Sequence, residues 1–291
     1  MLNKKEISRF QTKILSWYKV NRRDLPWRRT RDPYHILVSE VMLQQTQVSR
    51  VIPKYENWLT VFFTVDVLAK ASVSEVLTHW MGLGYNRRAL YLKKCAEEVV
   101  RRNGWPQTEE ELMELPGIGT YTARALLCFA FGKEVAVVDT NVRKVILTQF
   151  QISNKNIRRS RDPATAGDAR IDSGQARMTE KEIEEIAEKL LPQGNARDWN
   201  QALMDYASVV LKKEKIPIPK QSTYRGSDRY YRAKILKLLL TRKQVEMQML
   251  GPLLRDDYSL EMATWLDNII EKLIRDGLIT QHKRTILILQ T

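Results

Sequence analysis

Two apolar helical patterns meet at a glycine-containing turn within residues 112–131, which read LMELPGIGTYTARALLCFAF. Pro116 ends the first pattern, because proline lacks a backbone donor and disfavours the helical conformation at the residue before it. Gly117 and Gly119 allow a tight turn with positive φ and leave no side chain between the backbone and a ligand. The stretch therefore predicts two helices joined by a short hairpin, and we organise the rest of the chain around it.

The second helix of this hairpin is expected to begin at Thr120, Tyr121 and Thr122. A helix N-terminus directs unpaired N–H groups and the positive end of the helix dipole outward, which suits an anion such as a DNA phosphate. The simpler alternative is an αα-hairpin that only packs. Candidate residues for binding the DNA backbone are the following: Gly117, Gly119, Thr120 and Thr122.

The charge of the chain favours a polyanionic partner. Its 291 residues carry a formal net charge of +14, and the pI is about 9.7. Such an excess of lysine and arginine is typical of nucleic-acid binding, although it can also serve solubility alone. No apolar run approaches the length that spans a membrane. The two cysteines, Cys95 and Cys128, lie in helical patterns and are expected to be buried thiols of a reducing prokaryotic-type cytoplasm.

Glu40 lies in an apolar pattern that predicts a helix over residues 35–55. A carboxyl group among aliphatic side chains is desolvated, which raises its pKa and suits it to general acid catalysis. The alternative is a glutamate at a helix edge with its carboxylate in water. The aliphatic residues at helical neighbour positions around it are Ile36, Leu37, Val41 and Leu43.

Polar residues interrupt this apolar pattern at 44–47. The side chains of Gln44, Gln45 and Thr46 can form hydrogen bonds with base edges, so this segment could enter DNA; the alternative is an exposed helix end. Further along, Tyr85 follows a glycine turn at 82–84 and precedes Arg87 and Arg88. A tyrosine in that position can stack on a base while the arginines bind phosphates, or it can be an ordinary buried tyrosine.

Asp139 stands between an apolar run and a predicted helix over residues 141–150. Its simplest role is to cap that helix. The helix terminus would also keep the carboxylate ionised, so that it could face a positive charge that develops during a reaction.

The remaining segments define the outline of the fold. Residues 153–178 are charged and lack periodicity, which predicts a mobile insertion; a basic loop that touches DNA is the alternative. A linker rich in lysine and proline covers residues 212–226. Residues 227–291 combine three helical patterns with a strand–turn–strand hairpin, which predicts a winged-helix-like module. Whether this module binds DNA, binds a partner or packs on the body stays open.

Seven motifs together resemble the MutY-type adenine DNA glycosylases of the helix–hairpin–helix superfamily, in both order and spacing. They cover residues 24–208 and read DLPWRRTRDPY, SEVMLQQTQV, VIPKY, GLGY, LPGIGTYTARA, VDTNV and WNQALMD. The resemblance implies an all-α fold. A six-helix barrel (22–133) would accompany a second helical domain (1–21 and 134–215), followed by the winged-helix-like module. It also implies a monomeric repair enzyme of the nucleoid that acts on double-stranded DNA with a mismatched or oxidised base pair.

The family's site residues map onto named positions of this sequence. Glu40 falls at the acid that protonates the everted adenine, and Asp139 falls at the carboxylate that stabilises the oxocarbenium-like sugar. Tyr121 and Asn141 match positions beside the sugar. The resemblance further assigns Gln201 to a contact with adenine. It assigns Gln45 and Tyr85 to the base stack around the opposite guanine.

Tyr121 decides the expected reaction subtype. Bifunctional relatives carry a lysine there, whose amine can form a Schiff base with the sugar. Tyrosine cannot, so we expect a monofunctional glycosylase that leaves an abasic site.

Two departures from the family pattern concern cofactors and substrate. Most relatives hold a four-iron cluster on four closely spaced cysteines, but this chain has only two cysteines, so we expect no cluster and no other cofactor. A monovalent cation at the hairpin is an expectation by family analogy alone. The family's usual C-terminal domain, which recognises 8-oxoguanine, is larger than the tail at 227–291, so recognition of the opposite base stays open.

Two other functions compete with adenine excision opposite 8-oxoguanine or guanine. One is removal of thymine or uracil opposite guanine, and the other is DNA binding without catalysis. The polar segment at 44–47 and Gln201 favour adenine. The presence of both Glu40 and Asp139 argues against a non-catalytic protein.

Overall fold

A computed structural model describes residues 3–150, 157–158, 178–212, 223–282 and 286–289. The helices are α1 (Lys4–Asn21), α2 (Pro33–Leu43), α3 (Val48–Val61), α4 (Val65–Lys70), α5 (Val73–Trp80), α6 (Arg87–Arg101), α7 (Glu109–Met113), α8 (Thr120–Phe129), α9 (Thr140–Gln149), α10 (Glu180–Leu190), α11 (Ala196–Val209), α12 (Asp228–Arg242), α13 (Met247–Leu254) and α14 (Ala263–Arg275). The strands are β1 (Ile157–Arg158), β2 (Met178–Thr179), β3 (Gln244–Glu246), β4 (Ile279–His282) and β5 (Ile286–Leu289). This predominance of helix confirms the predicted all-α class.

Most of the expected insertion at 153–178 and of the linker at 212–226 lies outside the described residues. The chain divides into two compact units. The first comprises Met1–Ile36, Gln107–Glu109 and Gly119–Pro219, and the second comprises Leu37–Pro106, Glu110–Ile118 and Lys220–Thr291. These units divide the chain inside α2 and α7, which differs from the ranges expected from the sequence. No described helix has both the length and the apolarity that crossing a membrane requires.

The core of the first unit forms around α1 and α11. Asn3 and Glu6 form a capping box that starts α1. The apolar face of α1 then buries Phe10 and Ile14, and the Phe10 ring meets the Trp199 ring edge-on with 5.6 Å between centroids. Burial of large aromatic rings contributes much of the hydrophobic stabilisation of such a core.

Asp205 on α11 organises the loop that follows α1. Its side chain is fully buried, and its two oxygens accept a bidentate pair of hydrogen bonds from Arg28 at 2.7 and 2.8 Å. Arg23 adds a side-chain bond at 2.6 Å and a backbone N–H bond at 3.0 Å. Although burial alone would raise it, these bonds hold the pKa of Asp205 below its ordinary value. The carboxylate therefore stays charged inside the unit.

Asn200, also on α11, holds the segment that leads to α9. Its side-chain oxygen accepts the backbone N–H of Val137 at 2.9 Å, and its amide nitrogen donates to the carbonyl oxygen of Val135 at 3.0 Å. Val137 is fully buried, and Asn200 is 1% exposed. Because buried backbone groups need partners, this one side chain fixes a stretch of extended chain two residues before Asp139.

The chain is broken between α2 and α3, where the sequence predicted one continuous helix. We expected a continuous helix over residues 35–55, but α2 ends at Leu43 and α3 begins at Val48. Gln45 has a φ of 55°, which no helix accommodates. The carbonyl oxygens at the end of α2 are bound instead by the guanidinium of Arg88. A cation at a helix C-terminus satisfies the last carbonyls and complements the dipole.

Residues 223–289 carry the small sheet of the second unit. Strands β3, β5 and β4 form an antiparallel sheet in that order, with Val245 opposite Leu287 and Thr280 opposite Ile288. The three helices and the hairpin agree with the expected winged-helix-like module. Strand β3 was not expected, because the sequence indicated only the two strands of the hairpin in this module. Its single buried side chain, Val245, alternates with exposed neighbours as in a half-buried strand.

Substitution Asp205→Asn should destabilise the protein by about 3–5 kcal/mol, because it removes the fully buried charge that pairs with two partly buried arginines, Arg23 and Arg28. Urea unfolding at neutral pH measures this loss. The matched control is Asp24→Asn, because Asp24 pairs with Arg29 on the surface and both side chains are largely exposed. The control should change stability little. Equal effects of the two substitutions would contradict a special role for the buried group.

Candidate active site and nucleic-acid interface

The hairpin between α7 and α8 has the turn that its sequence predicts, with one correction. Gly117 has a φ of 81°, and a Cβ there would lie 2.7 Å from the Cβ of Tyr91, so only glycine fits. Gly119 has a φ of −104°, so the expectation of positive φ is wrong at this residue, which instead occupies the N-cap of α8. Its lack of a side chain leaves open space beside the start of the helix.

The polar residues at the start of α8 differ in exposure. Thr120 and Tyr121 are half-buried, whereas Thr122 is only 3% exposed. The Thr122 side chain therefore faces the interior, and only its backbone remains as a candidate contact for a phosphate. In the first unit, Gly119, Thr120 and Tyr121 therefore remain accessible candidates for a phosphate contact.

Glu40 is buried in α2, with 7% of its surface exposed. The aliphatic residues that precede and follow it, Leu37 and Val41, are 1% and 6% exposed. The alternative of a carboxylate with its head in water is therefore disfavoured. The side chain is therefore withdrawn from solvent, as the sequence pattern predicted.

Asp139 caps α9 as predicted. Its carboxylate accepts the backbone N–H of Val142 at 2.7 Å and the side-chain amide N–H of Asn141, also at 2.7 Å. Desolvation nevertheless raises the pKa of Asp139 above its ordinary value, and the hydrogen bonds only oppose this effect. The helix terminus was expected to keep this carboxylate ionised; its hydrogen bonds act in that direction, and desolvation acts against them. Asn141 is brought directly against the carboxyl group.

Gln201 lies on α11 and is 7% exposed. Its side-chain oxygen accepts a hydrogen bond from the Tyr18 hydroxyl at 2.9 Å. Burial raises the pKa of the Tyr18 phenol above its ordinary value, so the hydroxyl keeps the proton that it donates. The amide nitrogen of Gln201 has no hydrogen-bond partner among the described residues, so it is available to a ligand.

Two exposed segments of the second unit carry the residues expected to contact bases. Gln44 and Gln45 are exposed between α2 and α3, and Thr46 beside them is half-buried. Tyr85 is 42% exposed after the glycine turn. Gln45 and Tyr85 have φ values of 55° and 48°, so both adopt the left-handed conformation that is uncommon outside glycine. Tyr85 is thus not the buried residue of the alternative interpretation.

Arg87 and Arg88 have different surroundings. Arg87 is exposed, stacks over the Tyr91 ring at 5.0 Å and lies 3.6 Å from the Asp276 carboxylate of the C-terminal module. The guanidinium of Arg88 is instead occupied by carbonyl oxygens within the second unit. The module also reaches Tyr85, whose hydroxyl lies 3.3 Å from a guanidinium nitrogen of Arg229.

The cysteines are buried and unpaired, as expected from the sequence. Burial raises the pKa of both thiols, Cys95 and Cys128, to about 12. Within the described part of the chain, no three His, Cys, Asp or Glu side chains are grouped so that they could hold a metal ion.

The structure brings some predicted residues together inside each unit. Asp139 and Asn141 are in direct contact in the first unit, and Gln201 has Tyr18 as its partner there. The second unit contains Glu40 and the polar segment at 44–46, and it joins that segment to the turn at 82–85.

Three residues that matter to these arrangements escaped sequence reasoning: Tyr18, Asn200 and Asp205. The signal was present for the last two, because both lie in the WNQALMD motif and are polar residues on the buried face of a helix. Tyr18 continues the apolar stripe of Phe10 and Ile14, so nothing local distinguishes its hydroxyl from that of a core tyrosine.

Comparison with known proteins identifies the class. Residues 38–162 match the model of the HhH-GPD superfamily of base excision DNA repair proteins. The adenine DNA glycosylase of Mycobacterium tuberculosis H37Rv is 32% identical over 302 residues, covering 93% of this chain and 90% of that protein. The thymine/uracil-DNA glycosylase of Methanothermobacter thermautotrophicus is 33% identical over 209 residues, covering 71% of this chain and 86% of that protein. A solved thermostable thymine-DNA glycosylase is 31% identical with a TM-score of 0.59, covering 72% of this chain and 90% of that one.

The chain belongs to the HhH-GPD superfamily and is a base-excision DNA glycosylase. Within that class, its sequence is similar to the MutY-type adenine DNA glycosylases over most of its length.

Substitution Asp139→Asn should stabilise the protein while abolishing base excision. Since the pKa of Asp139 is raised on folding, the folded chain holds this proton more tightly, and ionisation above the unfolded pKa costs stability. Asparagine removes that cost and still caps α9. The gain in melting temperature should grow as pH rises from about 4 through the raised pKa and then level off.

Calorimetric unfolding across this pH range measures the effect. Asp139→Ala is the companion variant, because it removes the charge and the cap together and should therefore gain less. A gain for Asp139→Asn that shrinks as pH rises would contradict the direction of the shift.

Proposed function

We propose that this glycosylase hydrolyses the N-glycosidic bond of adenine mispaired with 8-oxoguanine or guanine. The observation that carries the proposal is the burial of Glu40 in the apolar helix α2. Adenine is a poor leaving group until a ring nitrogen is protonated, so its release benefits from an acid that holds a proton near neutral pH. A carboxyl group in apolar surroundings meets that requirement.

The second carboxyl group stabilises the other side of the breaking bond. As the base departs, positive charge develops on the sugar, and a fixed anion nearby lowers the energy of that state. Asp139 serves as that anion once ionised, oriented by Asn141 and by the N-terminus of α9. Desolvation makes the carboxylate more effective toward a nearby positive charge, because the local dielectric is low.

Gln201 supplies a contact to the everted base. The Tyr18 hydroxyl occupies the side-chain oxygen of Gln201, which directs the amide N–H₂ group to donate. Adenine offers acceptor nitrogens on its ring edges. The base must leave the stack before these atoms can be reached, and Gln45 and Tyr85 are the exposed side chains that would occupy the disturbed stack. The phosphates beside the everted nucleotide would bind at the turn formed by Gly117 and Gly119.

The reaction is monofunctional, and its residues are those of this chain without a cofactor. Tyr121 is half-buried at the start of α8, and its side chain has no amine that could form a Schiff base. Only two cysteines are present, so this chain cannot provide four thiolates for an iron–sulfur cluster.

The extent of the comparisons also favours adenine. The alignment with the M. tuberculosis adenine DNA glycosylase covers 93% of this chain, which leaves too few residues outside it to omit all of 227–291. The alignment with the archaeal thymine/uracil-DNA glycosylase covers 71% of this chain. That relative and the thymine-DNA glycosylase structure support a second candidate, removal of thymine or uracil opposite guanine.

A single-turnover excision assay on duplexes with A·8-oxoguanine, A·G, T·G and U·G pairs separates these candidates. Adenine should be released from the first two pairs, and the strand should stay intact at the abasic site. Substitution Glu40→Gln should slow release by about 100- to 10,000-fold, because the amide cannot donate the acid proton. Glu56→Gln, at an exposed position of α3, is the matched control. Activity confined to T·G and U·G would overturn the substrate assignment.

Substitution Tyr18→Phe should slow adenine excision by about 3- to 10-fold, which corresponds to the loss of one orienting hydrogen bond. Affinity for an undamaged duplex should stay the same, because Tyr18 is buried. Gln201→Ala should be slower still, and adding Tyr18→Phe to it should have no further effect. Independent losses in the double variant would separate Tyr18 from Gln201.

A further inference from the structure

The second unit holds two exposed base-contacting segments in strained conformations. Gln45 and Tyr85 are not glycines, yet both have positive φ. A side chain in the left-handed region costs free energy, so such residues persist only where neighbouring groups hold them. The question is which interaction holds each segment, and whether the two are held separately.

One side chain binds both segments. The guanidinium of Arg88 donates to carbonyl oxygens at the end of α2 and beyond it: Val41 at 2.6 Å, Met42 at 3.3 Å and Gln44 at 2.7 Å. On its other side it donates to the carbonyl oxygens of Leu83 at 3.2 Å and Gly84 at 3.1 Å. It also lies 3.4 Å from the Thr46 hydroxyl oxygen. The acceptors therefore flank Gln45 and immediately precede Tyr85.

Two aromatic rings lie beside this guanidinium. Arg88 lies 5.2 Å from the centroid of the Trp80 ring and 5.5 Å from that of Tyr85. The Trp80 indole N–H donates to the Gly84 carbonyl oxygen at 3.0 Å, so the same turn is bound a second time. Trp80 itself is fully buried. The donors of Arg88 are therefore anchored to the core of the unit and have little freedom to turn outward.

We propose that Arg88 is a positioning residue that couples the segment 44–46 to the turn at 82–85, so that Gln45 and Tyr85 enter the duplex as one unit. The inference rests on the proposed function, because it concerns the entry of these side chains into DNA. It replaces the role of phosphate ligand for Arg88. A guanidinium whose two terminal nitrogens donate to five carbonyl oxygens, and whose Nε is buried, has little to offer a phosphate.

Lysine should not substitute for arginine at this position. The planar guanidinium presents donors in several fixed directions, whereas an ammonium group is a compact charge on a flexible stem. A phosphate contact would tolerate the exchange, because charge dominates that interaction. The contrast between Arg88→Lys and Arg88→Met therefore distinguishes positioning from phosphate binding.

The first experiment compares both variants in excision and in binding. Single-turnover excision from A·8-oxoguanine should fall by roughly 100-fold in each, because misplaced groups forfeit most of the benefit of orientation. Affinity for an undamaged duplex, and its dependence on salt, should match those of the parent. If Arg88 binds a phosphate, Arg88→Met will instead reduce the salt slope by about one and Arg88→Lys will restore it. That result would overturn the proposal.

Arg101 provides the matched control on the same helix. Its guanidinium donates to Glu98 at 2.7 Å on the exposed side of α6. Arg101→Lys and Arg101→Met should leave excision unchanged. If these controls slow excision as much as the Arg88 variants, the effect belongs to α6 in general and the proposal fails.

Amide hydrogen exchange supplies a measurement that does not depend on activity. The amides of Thr46 and Leu83 bond to the carbonyl oxygens of Leu43 and Trp80, both at 3.2 Å. In the Arg88 variants both amides should exchange faster, while amides in the middle of α6 keep their protection. Faster exchange at one segment alone, or at neither, would show that Arg88 does not couple them. Arg88→Lys, which retains the charge and the alkyl stem, serves if Arg88→Met fails to fold.

The outcomes separate this inference from the proposed function. A parent enzyme that releases no adenine from any duplex would remove the substrate assignment. A parent that releases adenine, with Arg88 variants of equal rate, would remove only the coupling.

Discussion

The first unit depends on three polar side chains that α11 buries and that must all find hydrogen-bond partners. Asn200 binds the extended chain before Asp139, Gln201 binds Tyr18 of α1, and Asp205 binds the arginines of the loop after α1. Each of these groups is buried, so each would cost free energy if its partner were absent. The helix can therefore occupy its place only when three distant segments have reached theirs. Packing and the candidate chemistry are specified by the same residues.

In the same unit, the burial of Asp139 makes its ionised form less stable. A carboxylate withdrawn from water is less stable than one at the surface, and the fold compensates through the Val142 amide and the Asn141 side chain. The compensation is partial, because the pKa of Asp139 remains raised. Residues that bear charge in a reaction commonly reduce stability in this way.

Local signals in the sequence were sufficient for most helices, for the cap of α9 and for the burial of Glu40. Asp139 was recognised as a cap, and it accepts the backbone N–H of Val142 at the start of α9. The burial of Glu40 followed from its aliphatic neighbours. These features depend on residues within a turn or two, where spacing and residue type suffice.

Features that depend on distant partners could not be predicted in this way. The break between α2 and α3 requires Arg88, which lies more than forty residues further along the chain. Strand β3 becomes a strand by pairing with β5. Gly119 was expected to share the positive φ of Gly117, but of the two only Gly117 has it. No local pattern distinguishes these outcomes from their alternatives.

Burial also determines the reactivity of the two cysteines. Oxidants and alkylating agents attack the thiolate, and both thiols here are buried and keep their protons far above physiological pH. Neither sulfhydryl group is therefore expected to react readily with peroxide.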